Sequence, residues 1–128
     1  MKLRKGSATR GLALKPRGAT IEQRDEAFLL DIKTACFTIA ERLRHRQFLD
    51  LVENGEFCDG IVRQLTIIGE ASNNLSEKTQ RQYPEIDWVA TVDLRNVLAH
   101  EYWTPDLPLI WNTATLEVPK LLSLLSCK

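Results

Sequence analysis

Cysteine is scarce in this 128-residue chain, and the three present, Cys36, Cys58 and Cys127, form no Cys-x-x-Cys pair. An odd, scattered set builds neither a disulfide framework nor a zinc site, and a reducing cytoplasm is its simplest home. Histidine is scarcer, at two residues, His45 and His100. That is too few for a multi-histidine metal centre within one chain, so no metal and no cofactor is expected. Long apolar runs are absent as well: none approaches the roughly 18 residues of a spanning helix, and no membrane partner is expected. Strict apolar–polar alternation is also missing, which removes half-buried strands and points to an all-helical protein.

Acidic side chains are missing altogether from residues 1–20, which hold six of the 17 Lys+Arg; the rest of the chain therefore carries 11 basic and 17 acidic side chains. The neutral total conceals an acidic body, which repels a polyanion unless a local basic cluster overcomes that field. With Gly, Pro, Ser and Thr and no sustained apolar period, residues 1–20 read as a flexible basic arm. It fits a transit peptide, a nucleic-acid-binding arm or an upstream extension. Residues 21–128 read as one domain, long enough to bury its own core.

Within that domain Leu29, Ile32, Cys36, Ile39 and Leu43 recur at steps of three and four, the stripe of an amphipathic helix near residues 22–46. Phe48, Leu51 and Val52 continue an apolar face to Asn54 and Gly55, a stop signal. Ile61, Leu65, Ile68, Ala71 and Leu75 mark a second long helix. Pro84 breaks the pattern, and Asp87 is placed to cap a short helical segment running into Arg95 to Tyr102. After "TPDLP" comes a last face, Leu107, Ile110, Trp111, Thr115, Val118, Leu122 and Leu125, containing Pro119, which must kink or divide the helix. The expectation is an all-α, up-down bundle of four to five helices.

Some residues do not fit the stripes. Gly69 in "IIGEASNN" lies deep in the second helical pattern, where glycine costs about 1 kcal/mol against alanine; close approach of another helix accounts for it. Glu70 beside it either faces solvent or pairs with a cation brought near by packing, Arg95 first among them. Arg42, Arg44, His45 and Arg46 form the body's basic cluster, either a solvated helix end or a landing patch for phosphate.

The stretch "RNVLAHEYW", residues 95–103, sets Arg95, Asn96, His100 and Tyr102 among apolar residues. On an ideal helix Asn96 and His100 are about 40° apart, near enough for Asn96 to hold the imidazole in one tautomer. Arg95 and Tyr102 are about 140° and 160° from His100, so one regular helix does not converge them. Convergence needs a helix end, long side-chain reach or a second copy of the chain. Histidine exchanges a proton near neutral pH and arginine holds phosphate bidentately. Together they suit metal-free RNA cleavage, in which the 2′-hydroxyl attacks its own phosphate, His100 handles the proton and Arg95 stabilises phosphoryl charge. The same spacing also fits a satisfied, partly buried polar set with no chemistry.

These blocks, "IIGEA", "YPEIDW" and "RNVLAHEYW" in that order, resemble the HepT-like branch of the HEPN superfamily from about Arg24 to Leu125, and "IW" and "LEVPKLL" resemble its closing helix. The resemblance implies a HEPN bundle that forms homodimers, two Arg-x4-His-x-Tyr motifs meeting across the cleft. It also implies the toxin of a type II or type VII-like toxin–antitoxin module, a metal-independent endoribonuclease acting on RNA. Such toxins are neutralised by a minimal nucleotidyltransferase antitoxin (MntA-like) that adenylylates the motif tyrosine. Carried over, Arg95 and His100 are catalytic, Asn96 is supporting, Tyr102 is the modification site, and Glu70 is a residue behind the site. Glu101 stands where the family commonly has glycine, a negative charge able to raise the pKa of His100 or to repel RNA. Two other readings stay open: a non-catalytic HEPN adaptor that binds a nucleotidyltransferase, and a dimerisation platform whose basic arm tethers nucleic acid.

Overall fold

The computed structural model describes residues 18–96 and 105–127. Helix α1, Ile21–Leu43, begins at a reciprocal cap: Thr20 Oγ1 accepts from the Gln23 amide at 3.0 Å, and Gln23 Oε1 from the Thr20 amide at 2.9 Å. Two donors that a helix start leaves unpaired are thereby satisfied. It stops before His45, whose φ of 60° is left-handed and does not continue an α-helix. The break expected at Asn54–Gly55 is a single residue wide. The Asn54 amide donates to the Asp50 carbonyl and closes α2, Phe48–Glu53, while its Oδ1 accepts from Phe57 and opens α3, Gly55–Asn73. Asn54 makes the turn in an extended conformation, so Gly55 starts a helix rather than ending one.

Two short helices follow, α4 (Glu77–Arg81) and α5 (Trp88–Asp93), the second capped by Asp87 as expected, its Oδ1 accepting from the Ala90 amide at 3.1 Å. A 3-10 turn, Leu94–Asn96, continues α5. The C-terminal rod is α6 (Leu107–Asn112), a π-helical segment (Thr113–Glu117) and α7 (Val118–Ser126). Pro119 thus divides the rod as anticipated. Proline lacks an N–H and crowds the carbonyl four residues back; one residue earlier the Val118 amide reaches five residues back to Thr113, the wider π spacing.

The core lies where α1 packs on α3 and on the C-terminal rod. Ile32, Cys36 and Ile39 from α1, Ile61, Leu65 and Ile68 from α3, and Ile110, Val118 and Leu125 from the rod are buried. Leu29 and Leu43, the ends of the expected α1 stripe, pack half-buried at the core's edge. The all-α bundle is as the sequence implies. Its seven α-helices among the described residues exceed four to five because α2 and α4, five or six residues each, leave little periodic trace. Among the described residues no helix is long and apolar enough to cross a membrane.

A buried polar tie crosses the bundle. Asp25 on α1 is buried and accepts from the Ser76 amide at 3.1 Å, Ser76 Oγ at 2.5 Å and Thr79 Oγ1 at 2.6 Å. Burial pushes its carboxyl up, but these three bonds more than offset that and hold it below its ordinary value. The tie fixes the start of α1 to the start of α4.

Candidate active site

Arg95 and Asn96 stand side by side on the 3-10 turn, both exposed. Of the helical segment expected to run into Arg95 to Tyr102, the described part is α-helical through Asp93, and Leu94–Asn96 are wound more tightly. The angles of a regular α-helix therefore do not hold across Leu94–Asn96. His100, Glu101 and Tyr102 lie outside the described residues.

Packing against Gly69 on α3 sets the position of this turn. A Cβ built on Gly69 would fall on the Arg95 amide nitrogen, well inside contact distance, and within 2.8 Å of both Arg95 Cα and the Val92 carbonyl oxygen. The glycine is there because backbone occupies the space a side chain would need, as the close-approach reading of "IIGEASNN" anticipated. Glu70, the next residue, is exposed, and among the described residues no ion pair joins it to Arg95.

The start of α5 is anchored separately. Trp88 Nε1 donates to the Gln80 carbonyl at 2.9 Å, and Gln80 Nε2 donates to the Ser72 carbonyl at 3.1 Å. The Trp88 ring also meets Tyr83 edge to face, centroids 6.4 Å apart. A relay thus runs from the end of α3 through α4 to the start of α5. Sequence reasoning missed Gln80, since a side chain bonding a carbonyl eight residues back has no periodic signature; Trp88 was visible only as part of "YPEIDW".

Asn96 lines a groove of about 540 Å³ between α5 with its turn and the C-terminal rod, floored by Ala90, Leu94, Leu109 and Leu121 and bordered by Asp93 and Glu117. Pockets of this size accommodate small organic groups. Four carboxylates, Glu85, Asp87, Asp93 and Glu117, line the groove against one cation, Lys120, and continue the acidic character of the body up to the turn, so attraction for a polyanion rests on Arg95, Lys120 and groups outside this face.

The basic cluster lies elsewhere. Arg42 Nη1 is 3.2 Å from where a Cβ on Gly60 would sit. Gly60 and Gly69, nine residues apart, face opposite sides of α3, about 180° and 14 Å apart along the axis. Arg44 pairs with Glu41 at 3.5 Å, and Arg46 pairs with Asp50 at 3.8 Å and lies 4.9 Å over the Phe57 ring. Within one chain the cluster does not flank Arg95, and two of its arginines already have acidic partners. His45 is exposed, at the solvated helix end.

Cysteine chemistry has no foothold in the core: burial pushes the Cys36 thiol up to about 12, and burial with the neighbouring Asp59 raises Cys58. Among the described residues no three His, Cys, Asp or Glu side chains group closely enough to hold a metal ion.

Comparison with known proteins identifies what the chain is similar to. The family described as "Ribonuclease HepT-like" matches residues 32–127. "Putative RNase MJ1380" of Methanocaldococcus jannaschii is 31% identical over 96 residues, covering 75% of this chain and 88% of that protein. "Probable ribonuclease HepT" of Thermococcus cleftensis is 34% identical over 94 residues, covering 73% of this chain and 86% of that protein. No solved structure matches the chain.

Proposed function

Because the chain belongs to the HepT-like ribonuclease family, we propose that it is an RNA endonuclease, the toxin of a two-gene toxin–antitoxin module, with Arg95 and His100 as its catalytic residues. The observation that carries the reading is an arginine presented to solvent on a turn whose backbone is packed closely over Gly69 of α3. A guanidinium so placed is available to a phosphodiester.

In the proposed reaction the RNA 2′-hydroxyl attacks the adjacent phosphorus while His100 takes its proton. The bond to the 5′-oxygen breaks, a proton returns to that oxygen, and the products are a 2′,3′-cyclic phosphate and a 5′-hydroxyl. Arg95 binds the non-bridging oxygens as their charge grows, and Asn96 orients the imidazole or a phosphate oxygen. No metal is required by this scheme, and DNA, lacking the 2′-hydroxyl, is not a substrate. A homodimer sets two motifs across one cleft and doubles the arginines facing the RNA, the local charge the acidic body needs. Neutralisation by a minimal nucleotidyltransferase that adenylylates Tyr102 adds a phosphate charge and bulk to the cleft. Residues 21–128, with Thr20 capping α1, are the domain proposed to carry all of this; the basic arm expected before it lies, through residue 17, outside the described residues.

The test is cleavage of RNA in EDTA by purified wild type, Arg95→Ala and His100→Ala. Losses of about 10²-fold or more are expected for both variants, the usual scale for a removed charge donor or proton shuttle. Equal digestion by wild type and His100→Ala would exclude the catalytic role of His100, and no digestion by wild type would leave the adaptor that binds a nucleotidyltransferase.

A further inference from the structure

We infer that Gly69 is a positioning residue for Arg95, with Gln80 securing the opposite end of the same support; the inference rests on the nuclease reading for its activity consequence and on geometry alone for its structural one. Among the described residues no ion pair or hydrogen bond holds the Arg95 guanidinium. Among them, the position of its backbone sets where that group can reach. The backbone is located at two points. Near the end of α5, Arg95 N and Cα and the Val92 carbonyl rest in the space over Gly69. At its start, Trp88 is bonded to the Gln80 carbonyl and Gln80 in turn to the Ser72 carbonyl on α3.

A methyl group at residue 69 would meet peptide atoms, which cannot swing aside as a side-chain tip does. To restore ordinary contact at about 3.5 Å the turn must retreat by on the order of 1 Å. Displacement of a catalytic group by about 1 Å costs on the order of 100-fold in rate. Gly60 provides the matched control on the same helix, since a methyl there meets only the Arg42 guanidinium.

The experiment compares full-length wild type, Gly60→Ala, Gly69→Ala, Gln80→Ala and Arg95→Ala by RNA cleavage kinetics, thermal melting and the Arg95 backbone amide resonance. Gly69→Ala is expected to keep a cooperative melt, shift the Arg95 amide and lose about 100-fold in kcat with little change in KM and an unchanged pH profile. Gln80→Ala, which leaves Gly69 intact, is expected to shift the same amide and lose several-fold in kcat, and it carries the test if Gly69→Ala does not fold. Gly60→Ala is expected to match wild type in kcat and in the Arg95 amide resonance. Wild-type kcat in Gly69→Ala or, where that variant does not fold, in Gln80→Ala, with Arg95→Ala inactive, overturns the inference. Full activity in Arg95→Ala overturns the catalytic role of Arg95 instead, and no RNA cleavage by wild type overturns the nuclease reading. The amide then decides the positioning: a shift in Gly69→Ala or Gln80→Ala but not in Gly60→Ala supports it, and no shift overturns it.

Discussion

The two ends of α3 are held by different physics. At the Gly60 end the neighbours are arginine side chains near the surface: the tip of Arg42, and Arg46 between the Phe57 ring and Asp50. At the Gly69 end the neighbour is peptide backbone, and the elements around it are joined by the bonds of Asp25 to Ser76 and Thr79, of Gln80 to Ser72 and of Trp88 to Gln80. A side-chain tip yields to a small intrusion and a peptide does not. The same residue type on one helix is thus replaceable at one end and obligatory at the other, and what it faces decides which.

The sharpest way to break this contrast is at Asp25. Asp25→Ala leaves the Ser76 amide and two hydroxyls without their acceptor in a buried place, and a loss of about 3 kcal/mol is expected by urea denaturation at neutral pH. The pH dependence follows from the direction of the shift. The folded carboxyl titrates below its unfolded value of about 3.9, so its contribution is complete above that value and disappears as pH falls through the lower folded one. Wild type should lose stability on acidification below about pH 4 more steeply than Asp25→Ala does. Parallel acid limbs would sever Asp25 from the fold's acid response.

Next in size is Gly69→Ala, expected to cost about 2 kcal/mol through overpacking, beside its effect on rate. Its partner, Gly60→Ala, should instead stabilise by about 0.5–1 kcal/mol, since alanine is the better helix former and only a mobile guanidinium has to move. Melts in which the two variants shift in the same direction would erase the distinction between the ends.

Much of this arrangement is legible in the sequence. Ile32, Cys36 and Ile39 on α1 and Ile61, Leu65 and Ile68 on α3 are core residues because burial imposes the helical period on them. Asp87 as a cap and Pro119 as a divider follow from local backbone chemistry, as does Gly69 as a close approach. What periodicity does not carry is partnership across the fold. Asp25 sits among charged residues of α1 and nothing local marks it as buried; its donors come from 51 and 54 residues away. Arg95 and Asn96 stand out by residue type, yet the tightening of their turn reflects the helix they are pressed on, which an ideal-helix projection omits. The basic cluster misleads for the same reason: Arg42–Arg46 and Arg95 share a sign of charge but are set on opposite sides of α3.

The smallest expected effect tests the weaker end directly. Arg46→Ala removes one ring contact and one exposed ion pair, together about 0.5–1 kcal/mol. Asp50→Ala removes that ion pair as well, but Asp50 Oδ2 also accepts from the Gln47 amide at 2.7 Å at the start of α2, so its loss should be larger by roughly the 1 kcal/mol of a helix cap. Raising salt from about 0.05 to 0.5 M screens exposed charges over the distance separating Arg46 from Asp50. It should therefore shrink the ion-pair part of the Arg46→Ala effect and leave the cap's part of the Asp50→Ala effect in place. Gly69→Ala, whose cost is steric, should be indifferent to the same change. If all three effects fell together with salt, the Gly69 end would be held by surface charge as the Gly60 end is, and the contrast between them would vanish.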